Sequence, residues 1–167
     1  MADEYVFWWS YTDDGWLHAR VVSVRARKGD SGYLAFGTSL DGRMTHGTAV
    51  IGALDGGSSS SSSGSGSVAL HSLSGYSPSD VMPLPADERT LHSASIARFG
   101  ESGALELKFK LKLAEEWRLR PGGARARGHC LWAYGYAAGE YHAAAGSFQV
   151  DFSTRGGADA GAQQVEL

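Results

Sequence analysis

Cysteine is nearly absent from this chain: among 167 residues only Cys130 carries a thiol. No disulfide can therefore close within it, and neither the CxxC spacing of zinc sites nor the CxxCH of covalent haem attachment occurs. Proline is scarce too, with 4 residues against 23 glycines, which points to many turns in a β-rich chain. No apolar run reaches the roughly 20 residues of a membrane-spanning helix, and no long stretch shows helical periodicity. Charge of one sign is thin. With 15 Lys and Arg against 18 Asp and Glu the formal charge is -3, and no like-charge block is long enough for an interaction tail, so nucleic acid is not an expected partner. GxSxG elbows, HExxH, phosphate-binding loops and dinucleotide fingerprints are missing, so catalysis is not expected either.

The start, MADEYVFWW, lacks the basic segment, apolar core and small-residue cleavage site of a secretory leader, although an excised domain given a new initiator Met would read the same. Hydrophobic residues at 43% and charged residues at 20% suit one globular core.

What is present is a succession of short β patterns. YVFWWSY (5–11) ends at a TDDG turn, and 16–24 sets Leu17, Ala19 and Val21 against Trp16, His18, Arg20 and Val22. Runs at 33–40 and 48–54 flank a Gly-rich corner. The Ser/Gly tract 56–67 has nothing to bury and reads as a disordered loop inside one domain. Strands follow at 68–76, 90–99, 104–113, 129–137 and 147–152. SPSDVMPLPADE between the first two reads as loop, because proline cannot donate to a ladder, and 118–128 reads as a turn region. The clearest strand puts Leu105, Leu107, Phe109, Leu111 and Leu113 on one face and Glu106, Lys108, Lys110 and Lys112 on the other. That lysine row reads as a solvated face that also discourages edge pairing. In 129–137 one face is bulky (Trp132, Tyr134, Tyr136) and the other small (Leu131, Ala133, Gly135). The expected architecture is all-β, an antiparallel β-sandwich of about eight to ten strands, with one domain over 1–154 and a disordered tail over 155–167.

Met44 sits among polar residues on the 40–46 corner, where a thioether has little core to fill. It either folds back as a packing group or offers soft sulfur to haem iron or copper. Of six histidines, His46 is only two residues from Met44, and His18, His71, His92 and His129 occupy strand or strand-end positions where an ordinary imidazole suffices. His142 differs: it lies on a second corner, after the aromatic strand and before a Gly-Ser turn.

The succession GYLAFGTSLDGRM, TAVIGAL, SGYSPSD, ALELKFKLKL, LWAYG, then a histidine before GSFQVDF, resembles a DOMON domain. It is similar to the haem-binding branch found in the cytochrome domain of cellobiose dehydrogenase and in plant and fungal proteins related to the cytochrome b family. The resemblance covers about 5–152, with the serine-rich tract as an insertion. It implies an immunoglobulin-like sandwich holding one non-covalent haem b at one end, with Met44 and His142 as axial metal ligands. Phe36, Trp132 and Tyr134 flank those corners and read equally as pocket wall or as sandwich core. It further implies outer-sphere transfer of one electron to or from a redox partner, a flavoprotein or a membrane cytochrome, outside the cytosol. The competing expectation is a non-redox module that binds sugars or proteins, with Trp8, Trp9, Trp16 and Tyr141 as stacking platforms. Were the strands a strict up-and-down meander, the two ligand corners would fall at opposite ends of the sandwich.

Overall fold

Period-2 alternation puts one set of side chains on each face of a strand, and two such sheets bury their bulky faces against each other. In the computed structural model, which describes residues 5–12, 14–24, 32–54, 66–85, 87, 90–99, 104–113, 127–137, 139–151 and 163–166, this gives two antiparallel layers. The strands are β1 (Tyr5–Tyr11), β2 (Trp16–Ser23), β3 (Tyr33–Ser39), β4 (Gly47–Leu54), β5 (Gly66–Leu73), β6 (Val81–Pro83), β7 (Leu91–Phe99), β8 (Ala104–Lys112), β9 (Arg127–Gly135), β10 (Ala144–Asp151) and β11 (Gln163–Glu166). One sheet runs in the order β11-β1-β2-β8-β7, the other β10-β9-β3-β4-β5-β6.

The core between them is aromatic and aliphatic. Phe7 from the first sheet stacks on Phe36 from the second with centroids 4.7 Å apart, and Phe109 leans on Phe36 at 5.5 Å. Leu17, Val21, Leu105 and Leu107 complete the first sheet's inner face, and Leu34, Val50, Cys130 and Tyr134 that of the second. Burying each large apolar side chain contributes about 1.5–3 kcal/mol. Tyr5, also fully buried, donates its hydroxyl to the Ala35 carbonyl at 2.9 Å, a bond from one sheet to the other. The Cys130 thiol is enclosed and pushed far above its ordinary range by burial.

Four elements differ from the sequence reading. Val81–Pro83 forms β6 on the outer edge of β5, the place where a proline-containing strand is tolerated because its missing N–H faces away from the ladder. β10 begins at Ala144, so AAAG pairs along β9. The tail expected to lack structure supplies Gln163–Glu166, which pairs with β1 and satisfies its edge. β8 is no edge strand but runs between β2 and β7, so its lysine row guards no edge. Most of the Ser/Gly tract (55–65) and most of the 118–128 turn (114–126) lie outside the described residues.

Candidate functional site

The second sheet's outer face decides where a ligand can sit. Since Leu34, Phe36, Val50, Cys130 and Tyr134 point inward, their neighbours in sequence point out, and many residues of this outer face are small: Ala35, Ala49, Ala53, Ala69, Ala133 and Ala145, with Gly37 among them, beside the larger Tyr33, Ile51 and Leu131. A side chain at Gly37 would already meet the Thr48 carbonyl at 2.9 Å and the Ala49 and Leu131 Cβ atoms at 3.3 and 3.4 Å. Methyl groups on a flat sheet make an apolar floor that another flat body can approach closely. Over it lies a cleft of about 580 Å³, within the usual range for cofactor sites.

Two corners and one loop wall this cleft. The first corner, residues 40–46, follows β3. Asp41 Oδ1 accepts hydrogen bonds from the Arg43 N–H and the Ser39 hydroxyl, both at 2.9 Å, closing a tight turn. Those two bonds, the Arg43 N–H first, hold the Asp41 carboxyl below its ordinary value. Gly42 takes φ +78° and rests against the His129 ring, where a Cβ would meet Nδ1 at 2.9 Å. The turn delivers Met44 half-buried against Ala49, Leu73 and Leu131. The second corner, residues 136–143, follows β9, turns at Gly139 with φ +83°, and is tied back by the Ala143 N–H to the Tyr134 carbonyl at 2.8 Å. It carries His142, half-buried, and Tyr141, exposed. The loop after β5 adds Tyr76, Ser77 and Pro78, held by the Ser77 N–H donating to Asp80 Oδ2 at 3.0 Å.

Strand register places the corners. Ser39 faces His129 and Gly47 faces Leu73, so the Met44 corner caps one end of the sheet; Tyr33 faces Gly135 and Tyr134 faces Ala144, so the His142 corner caps the other. The corners therefore do lie at opposite ends, roughly 20 Å apart along the strands. Both nevertheless line the same cleft, which spreads over a sheet face rather than at one end of the sandwich. A thioether and an imidazole thus reach the cleft from opposite ends of the sheet.

Of the three aromatic residues named as pocket wall or core, Trp132 borders the cleft while its ring leans inward on Tyr5 with centroids 4.7 Å apart. Phe36 and Tyr134 do not line it: both belong to the core, because their strand face is the one turned toward the other sheet. Sequence reasoning missed the alanine floor, although the alternation of small residues in β3, β4 and β9 carried it. It also missed His71, on β5, whose imidazole lines the cleft. Burial holds that imidazole below its ordinary value, against a smaller opposing effect from its hydrogen bond to the Ala69 carbonyl. The other expected platform, the tryptophans, is elsewhere. Trp9 is buried in the core, and Trp8 and Trp16 lie on the far sheet with Arg20 and Lys112 over their rings at 4.7 and 5.1 Å.

The donor set suits a haem. One thioether and two imidazoles border an apolar floor, and Arg43, Tyr76, Ser77 and Tyr141 offer donors for acidic substituents at the rim. Among the described residues no cluster of three or more His, Cys, Asp or Glu could hold a bare metal ion. No family model matches this chain, and no curated protein matches it in sequence. Its structure is similar to the cytochrome domain of Myriococcum thermophilum cellobiose dehydrogenase, with a TM-score of 0.51 and 18% identity over 88% of this chain and 74% of that one. The two proteins share a β-sandwich fold.

Proposed function

We propose that the chain is a b-type cytochrome domain that holds one haem b without covalent links in the cleft over the six-stranded sheet, Met44 and His142 supplying the axial donors. The observation that carries this reading is the placement of a thioether and an imidazole on corners at opposite ends of one apolar, alanine-floored cleft. Bound there, the iron porphyrin supplies reversible one-electron chemistry. The Met44 sulfur, a soft neutral donor, favours the reduced metal, and His142 donates through a neutral ring nitrogen; together they set a higher potential than two imidazoles would. Ala35, Ala49 and Ala133 would let the porphyrin approach the sheet closely, while Ile51, Leu73 and Leu131 would shield the Met44 side from water. Were Met44 and His142 both to hold the iron, no position would remain on it for a substrate, which favours electron transfer over catalysis. The partner is a redox protein or module, such as a flavin-dependent dehydrogenase or a membrane cytochrome, approaching the rim at Tyr76 and Tyr141, both exposed.

Substitution tests the ligands. His142→Ala is expected to convert a low-spin spectrum to a high-spin one, and Met44→Ala to remove the thioether-to-iron charge-transfer absorption and lower the midpoint potential. Parent spectra and potentials in both variants would reject the assignment.

A further inference from the structure

His71 has no part in the axial pair, yet it lines the same cleft. The register fixes which part. Ala49 faces His71 directly across β4 and β5, and Gly47 faces Leu73 two residues further on. Met44 packs against Ala49, Leu73 and Leu131. Directly opposed residues hold their Cβ atoms about 4.5–5.5 Å apart. His71 and Met44 therefore border the same small patch, at the same end of the floor and away from the His142 corner.

The imidazole is also held in a donor-ready form. Its Nδ1 lies 3.2 Å from the Ala69 carbonyl oxygen. A carbonyl can only accept, so Nδ1 carries the proton and Nε2 keeps its lone pair. Metal-ligating histidines are commonly oriented in this way, one ring nitrogen bonded to a carbonyl and the other left for the metal. Burial, which disfavours the charged ring, holds its pKa below the ordinary value. His46, nearer to Met44 in sequence, is exposed and is not among the cleft residues.

Resting on the cytochrome reading above, we propose that His71 is a reserve axial donor, placed to bind the iron in place of Met44 when the thioether is lost, so that the cleft changes from Met/His to His/His ligation. An imidazole favours the oxidised metal relative to a thioether, so the exchange lowers the driving force for accepting an electron.

Haem-reconstituted Met44→Ala, His71→Ala and the double variant test this by absorption and electron paramagnetic resonance spectra and by midpoint potential, with thermal unfolding to confirm the fold of each. Met44→Ala is expected to stay low-spin and six-coordinate at a lower potential, His71→Ala to retain the thioether band, and the double variant to become high-spin. Should His71→Ala fold poorly, His71→Phe serves in its place, keeping a ring without a donor nitrogen. A Met44→Ala protein already as high-spin as the double variant overturns the reserve role and leaves the cytochrome reading standing. So does loss of the low-spin form in His71→Ala alone, which would make His71 the resident ligand. A parent protein that takes up no haem overturns both. In the haem-free protein, nitrogen NMR should report the Nδ1–H tautomer of His71; the Nε2–H tautomer would contradict the proposal independently of haem.

Discussion

Phe36 and Met44 show how differently two apolar side chains close together in sequence are used. Phe36 is fully buried between Phe7 and Phe109, so Phe36→Ala opens a void in the core and is expected to cost about 3–5 kcal/mol in urea unfolding. Met44 is only half-buried on a turn, so Met44→Ala should cost the fold far less. A stability loss at Met44 as large as at Phe36 would mean that the thioether is core after all. The sequence marked Met44 and His142 as unusual because each occupies a corner where its side chain has no obvious packing role. It could not rank Phe36, Trp132 and Tyr134 between core and wall, because alternation separates the two faces of a strand without saying which face the other sheet covers. The bulky face goes inward, since only large side chains fill the roughly 10 Å between sheets.

At the scale of elements, the outer face of β2 and β8 is held by charge. Glu106, buried, accepts from Arg20 Nε at 2.5 Å and pairs with Lys108 at 2.7 Å. Desolvation alone would raise its carboxyl, but the hydrogen bonds and charges of Lys108 and Arg20 together outweigh burial and hold it below the ordinary value. A depressed folded value contributes stability above the unfolded pKa, about 4.3, and loses it as pH falls through the lower folded value. Glu106→Gln should therefore be less stable than the parent by about 1–3 kcal/mol at pH 7, and the gap should close in urea titrations as pH falls through the lowered folded value. A gap independent of pH would contradict the pairing. On the opposite outer face, Ala133→Leu projects from β9 into the cleft and leaves the core untouched. Its unfolding free energy should stay within about 0.5 kcal/mol of the parent while haem uptake falls sharply, read by titration of the Soret band.

The strands with strong alternation, β1, β2 and β8, were legible because one face is solvated and the contrast is plain. β6 and β11 were not. A three-residue strand with a proline and a four-residue strand near the chain's end gain their order from the ladder they join, which no local pattern announces.

At the scale of the whole molecule the two outer faces are unlike. The five-stranded sheet presents Arg20, Lys108, Lys110 and Lys112 with two tryptophans, whereas the six-stranded sheet presents alanine methyls beneath two corners. Antiparallel sheets commonly leave a polar face to water, so an apolar outer face bordered, among the described residues, by two corners and a loop is a candidate site for an apolar occupant. That the occupant is a haem is the central claim. It is tested most directly by the visible absorption spectrum of the purified protein after haem is supplied, oxidised and then reduced with dithionite. Sharp low-spin Soret, α and β bands that interconvert reversibly are the predicted result; a protein that stays colourless, with free haem recovered unbound, would contradict it.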